Sequence, residues 1–110
     1  MIMKRPLQAL SYADSAKILY PEEAQALYIA GIANKELKKY NSAIKNFNKC
    51  DMVLPGNPQL KFYKGYCLDK LNQKQVAADN YMIYLKMVNY QSNKYSQYAY
   101  KRLQKWGYVK

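Results

Sequence analysis

Apolar and polar residues follow one another along this chain with the spacing of amphipathic α-helices. The last segment shows this most clearly, because Tyr95, Tyr98 and Leu103 are interleaved with lysines, which gives a helix one apolar and one charged face. Start and stop signals separate six segments of this kind. The predicted helices cover residues 6–19, 22–37, 42–54, 58–71, 74–88 and 93–106.

Individual residues mark where these helices begin and end. Asn57 followed by Pro58 predicts an N-cap and a first helical position for the helix at 58–71. Asn41 is expected to cap the helix at 42–54, and Gly107 is expected to end the last helix. The chain is therefore predicted to be all-α.

Small and aromatic residues also recur at a fixed interval of 34 residues. The small residues would let two helices of a hairpin cross closely, and an aromatic residue one turn after each alanine would fill the remaining space. A period of this length predicts a stack of helical hairpins that bury their core between neighbours. The equivalent pairs are Gly31 and Gly65, Ala43 and Ala77, and Phe47 and Tyr81.

These residues resemble the tetratricopeptide repeat family, in which a large residue is followed by Leu-Gly, a tyrosine, an alanine, a phenylalanine and a proline. The departures from that pattern affect single positions and leave the register intact. The first repeat reads Leu27, Ala30-Gly31, Asn34, Ala43, Phe47, Cys50 and Pro55, and the second reads Lys61, Lys64-Gly65, Leu68, Ala77, Tyr81, Tyr84 and Asn89.

The resemblance implies a right-handed α-solenoid of antiparallel helix hairpins that forms one domain over residues 1–110. Within it, a half-repeat at 6–20 precedes full repeats at 24–57 and 58–91, and a capping helix covers 92–107. A chain that begins on half a repeat is expected either to be cut from a longer protein or to use that helix as an N-terminal cap. The apolar edge of this helix leaves self-association open.

In the family, the first helices of successive repeats line a concave groove. The groove positions fall here on Gln25, Tyr28, Ile32, Lys35 and Glu36, on Gln59, Phe62, Tyr66, Asp69 and Lys70, and on Asn93, Ser96, Tyr100, Leu103 and Gln104. Peptide anchors are predicted at Tyr28, Ile32, Phe62, Tyr66 and Tyr100, and Lys35 and Lys70 would favour acidic partner segments. The alternative is that Phe62 and Tyr66 pack against neighbouring helices as core residues.

One known use of the family is not expected. Its co-chaperones grip an acidic C-terminal carboxylate with lysines and asparagines at set groove positions. Those positions hold Tyr28, Ile32, Tyr63, Asn93 and Gln97 in this chain, which argues against binding of heat-shock-protein tails.

The net charge of +11 at pH 7 favours association with anionic partners but does not identify their class. No acidic residue follows Asp79, whereas six basic residues do. Only two of the 18 basic residues are arginine, the side chain best suited to bidentate phosphate and base contacts, and this argues against nucleic acid. Lysines spread over helix exteriors are more often a solvated face.

Residues that carry common chemistries are missing. The sequence has no histidine, which excludes a histidine base and the usual zinc-protease motif, and its four glycines form no phosphate loop. The seven carboxylates are expected to be solvated charges on helix surfaces. Cys50 and Cys67 are expected to be buried and inert, with a disulfide left open. Neither an enzyme nor a cofactor is expected.

The leading hypothesis is a non-enzymatic module that binds or scaffolds a peptide segment of a protein partner. As an alternative, residues 98–103 resemble the closing helices of tetratricopeptide segments in bacterial envelope proteins, some of them attached to peptidases. A basic module that associates with nucleic acid is the third hypothesis. No apolar run is long enough to span a membrane and no signal peptide is visible, so a soluble protein is expected. Its compartment is left open, as cytoplasmic or periplasmic if the source is bacterial.

Overall fold

The computed structural model describes residues 22–110. This part of the chain forms α-helices and contains no strand, which confirms the all-α prediction for it. The predicted helix at 6–19 and the half-repeat at 6–20 lie outside the described residues. The helices are α1 (Glu22–Glu36), α2 (Tyr40–Val53), α3 (Pro58–Lys70), α4 (Lys74–Met87) and α5 (Lys94–Lys105).

The helix ends agree with the sequence signals except at α2. The side chain of Asn57 accepts a hydrogen bond from the Gln59 amide at 3.0 Å, and Gly107 follows α5 with a φ of 84°. Asn41 is not a cap, because α2 already begins at Tyr40 and Lys39 occupies the cap position without a side-chain hydrogen bond. The helix starts early because the carbonyl of Lys39 already accepts from the Ala43 amide, at 3.0 Å.

The two turns inside the hairpins have the same backbone conformation. Lys38 between α1 and α2 and Asn72 between α3 and α4 are both left-handed, with φ of 63° and 61°. The next amide donates back into the preceding helix in each case, from Lys39 to the Asn34 carbonyl at 2.8 Å and from Gln73 to the Leu68 carbonyl at 2.9 Å. The backbone conformation of these turns therefore repeats at the same 34-residue interval as the residue types in the sequence.

Glycine lies where the two helices of each hairpin cross, as predicted. A Cβ added to Gly31 would come within 2.7 Å of the Phe47 Cδ1 atom. A Cβ added to Gly65 would come within 2.8 Å of the Tyr81 Cδ1 atom. Both rings are fully buried. The aromatic residue of the second helix thus occupies the space that the glycine of the first leaves free.

Each helix packs mainly against the next one along the chain, and two core clusters result. The first cluster joins α1, α2 and α3 and contains both cysteines, which are buried and free. Burial raises the pKa of Cys67 to about 11, which suppresses its reactive thiolate form. The second cluster joins α3, α4 and α5 and comprises Phe62, Ala78, Tyr81, Tyr84, Leu85, Ala99 and Leu103.

Helix α5 does not pack as α3 does. In α3, Leu60 and Cys67 are fully buried in the first cluster. The residues 34 positions later are Lys94 and Lys101, and both are exposed. Because burying two unpaired ammonium groups is costly, α5 cannot present this face to the core. It buries only the face around Ala99, which belongs to the second cluster and whose α3 equivalent, Gly65, is also buried.

A buried ion pair holds α5 against α3. The carboxylate of Asp69, 7% exposed, accepts two hydrogen bonds from the Arg102 guanidinium at 2.8 Å each and one from the Tyr81 hydroxyl at 3.0 Å. These hydrogen bonds raise the pKa of Arg102. The Arg102 guanidinium carbon also lies 4.9 Å from the centre of the Trp106 ring. The expectation that Asp69 is a solvated surface charge is therefore wrong.

Candidate functional site

A groove of about 510 Å³ opens along α1, α3 and α5, the helices that begin each hairpin and the last one. Aromatic rings and lysine side chains form most of its wall. Tertiary packing assembles it, since its residues come from three helices that are separated in sequence. It is lined by Ile32, Lys35, Glu36, Phe62, Tyr63, Tyr66, Lys94, Tyr95 and Tyr98.

Three of the residues predicted to contact a peptide line this groove, and their side chains are partly exposed. Ile32 and Lys35 line it from α1, and Tyr66 lines it from α3. The Nζ atoms of Lys35 and Lys70 lie 5.4 Å and 5.2 Å from the centre of the Tyr66 ring. Lys70 does not line the groove, but its ammonium group contacts the Tyr66 ring, which therefore lies near two cationic groups.

Phe62 lies at the groove but is only 5% exposed. Its ring packs against those of Tyr84 at 5.5 Å and Tyr95 at 5.0 Å, as well as three others. For this residue the core-packing alternative is correct and the expected exposure is wrong. The cause is α5, whose tyrosines cover the side of α3 that the sequence left open.

Tyr28 and Tyr100 lie outside the groove. The ring of Tyr28 is half-buried between Phe47 and Tyr63, at 6.4 Å and 6.1 Å. Tyr100 lines a separate pocket between α4 and α5. Tyr100 is therefore not among the groove-lining residues, and Tyr98 of the same helix meets Tyr66, with 5.9 Å between the ring centres. Two residues along a helix correspond to about 200° of rotation.

Four residues that line the groove were not predicted from the sequence as ligand contacts: Tyr63, Lys94, Tyr95 and Tyr98. The alternation in the last segment placed Tyr95 and Tyr98 on the apolar face of a helix. Repeat positions did not indicate their place in the groove, because the equivalent residues of α3 are Lys61 and Lys64, which are not predicted groove positions.

The groove carries positive charge beside tyrosine faces. The Lys35 ammonium donates to Glu36 Oε2 at 2.9 Å and also lies 5.1 Å from the Tyr63 ring centre. Burial alone would lower the pKa of Lys35, but the hydrogen bond and charge of Glu36 outweigh it and raise the pKa. Lys94 lies 5.1 Å from the Tyr95 ring centre. An anionic ligand would meet Lys94 without competing with Glu36.

Tyrosines at and beside the groove make stability fall at high pH. Burial raises the pKa of Tyr28, Tyr63 and Tyr98 above 10.0, with smaller effects of neighbouring tyrosines and, for Tyr98, of Asp69. Because the unfolded chain ionises first, this stability is complete below about pH 10. Above that pH the free energy of unfolding decreases as the tyrosines of the unfolded chain ionise, until the folded pKa of each tyrosine is reached.

We therefore expect the melting temperature to drop between pH 10 and pH 11, and the drop to be smaller in Tyr28→Phe, which has one fewer ionising group. Thermal melts monitored by circular dichroism at both pH values measure it. Equal melting temperatures for the native chain at pH 10 and pH 11 would contradict the burial of these hydroxyls.

Among residues 22–110, no cluster of three or more histidine, cysteine, aspartate or glutamate side chains is arranged to hold a metal ion. None of the helices from Glu22 onward has the length and apolar character needed to cross a membrane. The side chains of the groove supply contact area, cationic charge and hydroxyl groups.

Comparisons with protein-family models, with curated proteins and with solved structures found no match to this chain.

Proposed function

We propose that this chain is a non-enzymatic interaction module that binds a segment of a protein partner in the groove along α1, α3 and α5. The observation that carries the proposal is the wall itself, in which half-buried tyrosines lie beside the ammonium groups of Lys35 and Lys94. Tyrosine offers large contact area at low entropy cost, as binding surfaces require. An extended peptide that carries carboxylates and apolar side chains fits this chemistry.

The proposal includes a tetratricopeptide-type solenoid for the helix stack. Its support is the repeat of whole structural details at 34 residues: the left-handed turns at Lys38 and Asn72, and the contacts of Gly31 with Phe47 and of Gly65 with Tyr81. In such a stack the first helices of the repeats share one concave side, which is the side on which a groove from α1, α3 and α5 is expected.

Charge complementarity favours an acidic partner. The chain has a net charge of +11, and Lys94 faces the groove near Tyr95. The pair formed by Lys35 and Glu36 is neutral overall, so Lys94 decides the sign of the charge in the wall. The effect of charge should appear mainly as a faster association rate and as a strong salt dependence.

A binding assay tests the proposal with Tyr66→Ala and Lys94→Ala in the full chain. The probe is a capped, fluorescein-labelled peptide in which glutamates alternate with leucine and phenylalanine. We expect each substitution to weaken binding about 5- to 20-fold, since each removes a central contact worth roughly 1–2 kcal/mol. Fluorescence anisotropy at constant salt measures the affinity. Phe62→Ala is unsuitable, because it would remove a core ring.

Tyr108→Ala is the matched control, because it removes an exposed tyrosine that lines neither the groove nor the pocket of Tyr100. It should leave the affinity of this peptide unchanged, and a peptide with lysines in place of the glutamates should not bind. Equal affinity of Tyr66→Ala and the native chain would refute the groove as the binding site. Preference for labelled oligothymidylate over the acidic peptide would favour nucleic-acid association instead.

A further inference from the structure

A second pocket lies on the other side of α5, away from the groove. It has a volume of about 350 Å³, near the lower end of the range for ligand pockets, and its exposed wall is largely apolar. Leu85 of α4 contributes to it, as do Tyr90 from the connection and Ser96 and Tyr100 from α5. No residue lines both this pocket and the groove, so they are separate surfaces.

The pocket contains a polar group that the fold does not satisfy. Ser96 is 5% exposed and lines the pocket, yet its hydroxyl has no hydrogen-bond partner within the described part of the chain. Buried hydroxyls nearly always have a partner, and one without it calls for an explanation. A ligand that brings an acceptor into the pocket would satisfy this hydroxyl.

Tyr100 lines the same pocket as Ser96 and follows it along α5. Side chains on a helix lean toward its N-terminus, so a residue covers the turn before it. Tyr100 follows Ser96 by four residues and therefore lies over it on the same face. Its ring is 38% exposed, which leaves it free to change rotamer, and such a change would open the way to the Ser96 hydroxyl.

The connection beside the pocket is held in an unfavourable backbone conformation. Asn89 and Tyr90 are both left-handed, with φ of 58° and 57°, although neither is glycine. The Tyr90 amide donates to the Leu85 carbonyl at 2.8 Å, which fixes this turn, and the Tyr90 ring is 54% exposed at the edge of the pocket. The same left-handed conformation and hydrogen bond occur at Lys38 and Asn72, so this turn is a helix end that places Tyr90 at the edge of the pocket.

The charge around the pocket selects the occupant. Lys101 lines it, and no acidic residue occurs in the sequence after Asp79. A second copy of the chain would bring another net charge of +11, which opposes its approach. A segment rich in carboxylates would instead be attracted to this end of the molecule.

We infer that the pocket between α4 and α5 is a docking site for an acidic peptide segment of another protein. One apolar side chain of the segment fills the pocket between Tyr90 and Tyr100. The Ser96 hydroxyl donates to a backbone carbonyl of the segment, and Lys101 contacts a flanking carboxylate. This site is independent of the groove, and neither requires the other.

Titration of the isotope-labelled full chain with a capped peptide of sequence Asp-Glu-Phe-Glu-Asp tests the site by nuclear magnetic resonance. We expect the amide signals of Leu85, Tyr90 and Lys101 to shift, and Tyr100→Ala to weaken the affinity about tenfold. Ser96→Ala should weaken it several-fold while it raises the melting temperature, because the variant removes an unsatisfied group. The same peptide with glycine in place of phenylalanine should not bind.

The matched control is Ile83→Ala, which removes an exposed apolar side chain of α4 outside the pocket and should leave the affinity unchanged. Shifts confined to groove residues such as Tyr66 would overturn the inference without touching the groove proposal. Unchanged affinity in either Tyr100→Ala or Ser96→Ala would also overturn it. So would pocket signals that shift with oligothymidylate or anionic lipid vesicles and not with the peptide.

Discussion

Replacing Asp69 by alanine is expected to lower the free energy of unfolding by about 3 kcal/mol. The variant leaves the Arg102 guanidinium without its two 2.8 Å acceptors and the fully buried Tyr81 hydroxyl without its partner. The Arg102 side chain is 29% exposed and can regain some water, which places the cost at the lower end of the range for a broken buried pair. A chain of this size has a total stability of only about 5–15 kcal/mol.

Urea denaturation followed by circular dichroism measures this effect, with Asp79→Ala as the control. Asp79 is exposed on α4, and its replacement should change stability by less than about 0.5 kcal/mol. Arg102→Ala should cost at least as much as Asp69→Ala, because it leaves a carboxylate buried without its cation. A loss below 1 kcal/mol for Asp69→Ala would show that the ion pair does not hold α5 in place.

Gly31→Ala is the second substitution with a large expected effect, and two opposing contributions decide its sign. In a helix, alanine is favoured over glycine by about 1 kcal/mol. The new methyl group would lie 2.7 Å from Phe47 Cδ1, and the ring cannot withdraw because it is fully buried and stacked on Tyr63 at 5.4 Å. Overpacking of this kind costs about 3 kcal/mol. We expect a net loss of about 2 kcal/mol.

Two controls separate these contributions. Ala33→Gly, at an exposed position of α1, measures the backbone contribution alone and should cost about 1 kcal/mol. In a Phe47→Leu background the smaller side chain leaves more room, so Gly31→Ala should cost less there than in the native chain. An increase in stability on Gly31→Ala in the native background would mean that helix propensity outweighs the close crossing.

The sequence predicts the hairpins well because their geometry depends on short, local patterns. The interval between Gly31 and Gly65 located both close crossings, and Asn57 with Pro58 located the start of α3. Asn41 misled because a cap can also be provided by backbone geometry alone, as at Lys39. Structural features that depend on a repeated residue type at a fixed spacing could therefore be predicted from the sequence.

The candidate site was predicted only in part, because it depends on how α5 packs against α3 and α4. Repeat positions placed Tyr100 in the groove, but Lys94 and Lys101 stand where α3 has Leu60 and Cys67. Those charges were visible in the sequence. Their consequence was not, because it required knowing that the corresponding face of α3 is fully buried.

The ion pair of Asp69 shows a second limit. Asp69 and Arg102 are 33 residues apart and belong to different helices, and no local pattern connects them. Their pairing follows from the same placement of α5 that brings Tyr98 onto Tyr66. The groove and the ion pair therefore depend on one tertiary arrangement.

That arrangement is tested most directly by nuclear Overhauser effects between tyrosine ring protons in the folded full chain. The ring centres of Tyr66 and Tyr98 lie 5.9 Å apart, so we expect cross-peaks between these two rings and none between Tyr66 and Tyr100. Cross-peaks from Tyr66 to Tyr100, with none to Tyr98, would contradict this placement of α5 and the groove built on it.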